Sequence, residues 1–153
     1  MTFDYSLDFS TIDFRKQPEL YRIGRGEQGV LLVEPYKSEI LPHWKVKTPQ
    51  AARNSASKIY RIFLDYQAKD DFVGMDMARK FLQMGYTRSR RYANHKSGRK
   101  YAAKTKELLP REEDHEKAQA AQFFYQNWQK ARADKKYLQL SNQRQSFMKI
   151  QGS

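Results

Sequence analysis

The sequence predicts an α+β domain, and three observations carry that reading. Two short apolar runs, 20–23 and 30–33, flank a glycine-rich link, Gly24-Arg25-Gly26-Glu27-Gln28-Gly29, which is the pattern of a β-hairpin. Ahead of them Phe3, Tyr5, Leu7 and Phe9 alternate with Asp4, Ser6, Asp8 and Ser10, the two-residue period of a strand. Beyond Pro49 the apolar period lengthens to three and four residues, which is helical. The expected architecture is an N-terminal β-hairpin and extended segments packed with three to four helices, including a long C-terminal helix, in a single basic domain over residues 1–153.

In chain order, the first segment admits two readings. Its period suits a strand, but Asp and Ser have poor strand propensity, so an extended arm docked by its aromatic side is an equal alternative. Asp4, Asp8 and Asp13 imitate a metal cluster in type but are expected to be separate, solvated carboxylates. The glycine link also matches G-x-G-x-x-G, where glycines let backbone amides approach a phosphate. A nucleotide site would need the motif to open a helix, and here an apolar, β-branched run follows, so a plain hairpin turn is favoured. Pro35, Pro42 and Pro49 then forbid a long helix and leave a turn, a short strand or irregular chain.

Thr48-Pro49 is an N-cap and first-turn pair, and Ala52, Ala56, Ile59, Tyr60, Phe63 and Tyr66 stripe one face of a helix over about 50–68. Asp70-Asp71 should end it, with Asp71 capping a second helix over about 73–84 whose Met77, Phe81 and Met84 form the core side. Gly85 stands where a helix C-terminus takes its left-handed residue, and Thr87 can cap a short helix over about 88–95. That order resembles a helix-turn-helix, although the spacing is long and general backbone binding is the favoured use. Acidic residues at 112–114 open a final helix striped by Ala118, Ala121, Phe124, Trp128 and Ala131, which reaches Ala133 and resumes through Tyr137.

Lys and Arg number 29 against 17 Asp and Glu, a formal charge of +12, which attracts polyanions and acidic partners. The charge concentrates in 79–106, where Arg79, Lys80, Arg88, Arg90, Arg91, Lys96, Arg99, Lys100, Lys104 and Lys106 stand with no acid among them. The expected function is nucleic-acid binding, DNA or RNA, by phosphate grip and base stacking through Arg88, Arg90, Arg91, Tyr92, His95, Lys96, Arg99, Lys100 and Tyr101. Arg25, Lys37, Trp44 and Lys45 are secondary candidates, with Trp44 read equally as a stacking ring or a core plug. The alternatives are a phosphodiester-cleaving or nucleotide-using enzyme and an adaptor docking on an acidic protein.

The blocks at 22–45, RIGRGEQGVLLVEPYKSEILPHWK, and 71–101, DFVGMDMARKFLQMGYTRSRRYANHKSGRKY, resemble a family of small basic proteins of bacteria and their viruses, catalogued as a domain of unknown function. The resemblance spans most of the chain and brings no activity, cofactor or catalytic residue.

No cysteine is present, which excludes disulfides, iron–sulfur clusters and thiolate zinc sites. His43, His95 and His115 are the histidines, and none stands in a catalytic motif. His95 could serve a phosphodiester as acid or base beside Arg90, Arg91 and Arg99, but a surface histidine among phosphate-binding cations is the favoured reading. No catalytic residue, metal ligand or cofactor is assigned, and whether the chain is an enzyme stays open. The N-terminus has no basic and apolar leader, and no run of about 18 apolar residues occurs, so a cytoplasmic chain with no membrane partner is expected.

Overall fold

The computed structural model describes residues 2–94 and 115–151, and among them there is no strand. The described chain is all helical: α1 (Tyr36–Ile40), α2 (Pro49–Ala68), α3 (Phe72–Asn94), α4 (His115–Arg132) and α5 (Lys135–Gln151), with 3-10 turns at Pro18–Leu20 and Leu41–His43. The α+β class and its hairpin are therefore corrected, and the cause is local. The amides of Ser6 and Ser10 donate to the carboxylates of Asp4 and Asp8 at 3.0 and 3.2 Å, and the amide of Arg15 to Asp13 at 2.9 Å. Such turns take the amides that a ladder would need. The aromatic side chains fold onto one another instead, Phe3 on Phe9 at 5.6 Å and Phe9 on Phe14 at 5.9 Å. Phe3 and Phe14 are buried in the core. Neither reading of this segment holds as made: it docks by Phe3 and Phe14, but in turns and not as a strand or an extended arm.

The glycine link fails as a hairpin for a different reason. Gly24, Gly26 and Gly29 all take left-handed φ, and the chain curls on through Val30 N–H to Glu27 O (3.2 Å) and Leu32 N–H to Gly29 O (3.0 Å). A Cβ at Gly29 would lie 2.1 Å from the Phe3 ring. Tyr21, Ile23, Val30 and Val33, the residues that suggested two strands, are buried, so the pattern reported burial without a ladder.

Helix α2 and the start of α3 follow the sequence closely. Thr48 Oγ1 accepts the Ala51 amide at 3.1 Å, Pro49 fills the first turn, and Ala52, Ala56, Ile59, Phe63 and Tyr66 are buried. At its end Asp70 takes the left-handed position (φ +56°), with its amide on Gln67 O and that of Asp71 on Tyr66 O, a Schellman closure. Asp71 then caps α3 through the Gly74 amide at 3.0 Å. Asp134 caps α5 in the same way, accepting the Tyr137 amide at 2.9 Å.

Helix α3 is the axis of the fold. Every residue from Phe72 to Leu82 is buried, enclosed by α2, α4, α1, α5 and the glycine link. The helix runs on through Gly85 and Thr87, so the expected break and helix-turn-helix order are corrected as well. Gly85 serves a close approach: a Cβ there would lie 2.3 Å from the Phe124 ring of α4. Thr87 is inside the helix, its hydroxyl 3.2 Å from Met84 O. Among the described residues no helix is long and apolar enough to cross a membrane.

Gly85→Ala is expected to lower stability by about 1–3 kcal/mol through overpacking, which outweighs a helix-propensity gain of about 1 kcal/mol. In a Phe124→Leu background the same substitution should cost at least about 1 kcal/mol less. An unchanged cost, by denaturant unfolding of the four proteins, would assign Gly85 a backbone role instead.

Candidate nucleic-acid interface

Helix α3 splits the basic stretch into an internal and an external part. Arg79 and Lys80 face inward onto Asp76, whose side chain is fully enclosed. Asp76 Oδ1 accepts Arg79 Nη2 and Tyr137 Oη, both at 2.6 Å, and Oδ2 accepts the Tyr21 hydroxyl with Lys80 Nζ at 3.9 Å. Arg79 reaches on to Gly26 O and, at 2.9 Å, Gln83 Oε1, while Lys80 donates to Gln28 O at 2.6 Å. The carbonyls of the glycine link thus face two cations, and the link is a strap over α3. Lys80 also lies 5.0 Å from the Phe3 ring and 4.9 Å from that of Tyr21.

Burial pushes the Asp76 carboxyl upward, yet Arg79, Lys80 and the two phenols outweigh it and hold it below the ordinary carboxylate value. Burial, reinforced by Asp76, raises the Tyr21 phenol well above its ordinary value. Burial brings Lys80 down to about 8 against the opposing pull of Asp76. A surface beginning at Arg79 is therefore not formed.

The external part begins at Arg88. Arg88 and Arg91 are exposed and Arg90 and Tyr92 half-buried on the last two turns of α3. The Arg88 guanidinium lies over the Trp44 ring at 5.9 Å, and the Trp44 indole N–H donates to Phe81 O at 3.0 Å. Trp44 is thus half-buried, anchored by its N–H and lying with its ring beneath a cation. The Lys45 amide is held by Ser55 Oγ at 3.0 Å, which in turn donates to His43 O at 2.6 Å. From α4, Lys117 donates to the carbonyls of Val46 (3.4 Å) and Lys47 and lies 5.9 Å over the Tyr92 ring. Lys45, Lys47 and Arg53 are exposed beside these anchors. The same end carries acids too, Glu116 on α4 and Glu27, whose carboxylate is 3.1 Å from the Thr87 hydroxyl.

The structure therefore brings together Arg88, Arg90, Arg91, Tyr92, Trp44 and Lys45. His95, Lys96, Arg99, Lys100 and Tyr101 lie outside the described residues. Arg25 is exposed on the strap, and Lys37 sits 3.9 Å from Glu34 on α1, whose Tyr36 bonds Asp71 at the opposite end of α3. Among the described residues no group of three or more His, Asp or Glu is placed to hold a metal, and Asp4, Asp8 and Asp13 each accept a local amide.

Sequence reasoning missed two features. The first is the Asp76 network, signalled by a charged D-x-x-R-K run inside an otherwise apolar helix. The second is an open groove of about 1150 Å³ between α2, α5 and the N-terminal segment. There Arg15 binds Glu39 by two bonds of 2.8 and 2.7 Å, Tyr66 Oη donates to Glu39 at 2.7 Å, and Tyr36 Oη to Asp71 at 2.7 Å. The hydrogen bonds from Arg15 hold Glu39 below its ordinary value, and burial raises both tyrosines. No local spacing announced that groove, since its partners come from four segments.

The family model for the domain of unknown function DUF4385 matches residues 4–147, and the chain belongs to that family. No curated protein and no solved structure matches it.

Asp76→Asn is expected to cost about 3–5 kcal/mol, because it strips a buried guanidinium and ammonium of their counter-charge. A loss below about 1 kcal/mol by urea unfolding would refute the network as drawn. Lys80 adds a pH signature. Its folded value near 8 lies under the ordinary 10.5, so the unfolded chain binds more protons between them and stability rises with pH across that window. The wild type should gain on Lys80→Met from pH 8 to 10, and parallel stability curves would refute this.

Proposed function

We propose that the chain binds nucleic acid by gripping its phosphate backbone at the C-terminal end of α3. One observation carries the reading. Three segments far apart in sequence, 44–47, 88–92 and the start of α4, are drawn to one end of the fold by cation–ring and cation–carbonyl contacts. The exposed Lys45, Lys47, Arg53, Arg88 and Arg91 offer charge there, and Trp44 and Tyr92 offer rings. A fold that carries +12 and places cations and aromatic faces side by side matches the alternation of phosphate and base along a strand.

The grip is general rather than sequence-reading. The first half of α3 is enclosed by the protein and only its last turns reach solvent, so a recognition helix laid along the major groove has little exposed length here. The proposed chain acts inside the cytoplasm, without a membrane partner.

The test is a salt titration by fluorescence anisotropy. Binding should weaken with salt at a log–log slope of about −0.7 to −0.9 per phosphate contacted. Combining Arg88→Ala with Lys45→Ala and Lys47→Ala should make that slope shallower by about 2 to 3 and leave the melting temperature within a few degrees of wild type. Absence of binding to any oligonucleotide at low salt, or a triple variant that binds like wild type, would overturn the reading. Cleavage of the oligonucleotide during the titration would move it to an enzyme, and tight, salt-resistant capture of an acidic protein to an adaptor.

A further inference from the structure

On the opposite edge of the same turns of α3, three rings gather that the phosphate grip does not use. Tyr86 of α3 meets Tyr125 and Trp128 of α4 with centroids 5.2 and 5.7 Å away, and Tyr125 meets Trp128 edge to face at 6.0 Å. Tyr86 and Trp128 are half-buried and packed on the core, whereas Tyr125 is the outermost ring and 39% exposed. The Arg132 guanidinium lies 5.5 Å over the Trp128 ring, so a cation borders the cluster. Packing explains Tyr86 and Trp128. Tyr125 packs on both of them and still keeps part of its ring in solvent.

Helical geometry joins this cluster to the grip. At about 100° per residue, Arg91 lies about 60° round the helix from Arg88, Arg90 about 100° further, and Tyr86 about 40° beyond that in the same sense. The solvent side of the last turns of α3 is thus a band with Trp44 beneath Arg88 at one margin, Arg91, Thr87 with Glu27 on its hydroxyl, and Arg90 across it, and the Tyr86–Tyr125–Trp128 cluster at the other. Rings at the margins and cations between them suit a strand whose bases are unpaired. A duplex hides its base faces in the stack and can use only the cations.

We infer that the nucleic acid held at this end is single-stranded and crosses α3 transversely, with a base stacked on Tyr125. This rests on the phosphate-binding reading above and adds the class of strand to it. Tyr125 supplies the open π-face, Tyr86 and Trp128 fix its tilt, and Arg132 meets the backbone beyond it. The sugar is not distinguished by a stacking face, so oligothymidylate and oligouridylate are both accepted.

The experiment compares labelled oligothymidylate, oligouridylate and a DNA duplex of equal length on the whole chain and on Tyr125→Ala, Tyr125→Leu and Tyr125→Phe, at one salt concentration. Wild type should bind one or both single strands at least about tenfold more tightly than the duplex. Tyr125→Ala and Tyr125→Leu should weaken single-strand binding by about 5- to 100-fold, in line with the loss of one stacked base. Tyr125→Phe should keep it, and all three variants should bind duplex as wild type does with unchanged salt slope. Leu preserves apolar packing without a π-face, so it separates stacking from a folding defect, and melting curves confirm that each protein is folded. Equal affinity for duplex, or Tyr125→Leu binding single strands as wild type does, would overturn this inference while leaving the phosphate grip standing. Failure of every oligonucleotide to bind would overturn both.

Discussion

The carboxylate of Asp76 is the group on which the rest of the structure depends. It lies in the second turn of a helix whose residues from Phe72 to Leu82 are all buried, where an unpaired charge would cost several kcal/mol. Satisfying it recruits a phenol from the N-terminal segment, a phenol from α5, and two cations one turn along α3. Those cations leave an excess positive charge, which is spread over the carbonyls of Gly26 and Gln28. The position of the strap, the seat of Tyr21 and the anchoring of α5 all follow from that one requirement. Apolar packing alone would hold these segments near α3 without fixing their register, whereas hydrogen bonds to one carboxylate fix it.

The helices were legible because their signals are local. Thr48-Pro49, the stripe from Ala52 to Tyr66, and Asp71 as a cap all state their roles within a turn or two of chain. The N-terminal half was misread because alternation of apolar residues reports which side chains are buried, not which backbone is paired. Tyr21, Ile23, Val30 and Val33 are buried as a hairpin would bury them, against a helix rather than a sheet. The side chains of Asp4, Asp8 and Asp13 had already bonded the local amides. Gly85 was misread for a related reason. A glycine needed for a left-handed turn and one needed to admit the Phe124 ring look alike in one dimension.

The candidate surface was legible in composition and not in arrangement. Arg88, Arg90, Arg91 and Tyr92 could be singled out by charge, but nothing local says that Arg79 and Lys80, nine residues earlier, belong to the interior. What separates them is the carboxylate one turn before, together with phenols 55 and 61 residues distant from it. The meeting of Trp44 with Arg88 and of Tyr86 with Tyr125 is likewise a product of tertiary packing between helices. One rigid element therefore holds a sealed charge cluster in its first half and an exposed basic and aromatic band in its second.

The reach of Tyr137 to Asp76 bears on how the chain comes to be folded during its synthesis. Tyr21 precedes Asp76 by 55 residues, but the second phenol follows it by 61, with α4 between. Until it arrives, Arg79 and Asp76 have one partner fewer and the side of α3 that α5 covers is open to water. A chain that stops short of Tyr137 therefore lacks the phenol that Asp76 and Arg79 share, and with it the bond that ties the final helix to the axis and so to the strap.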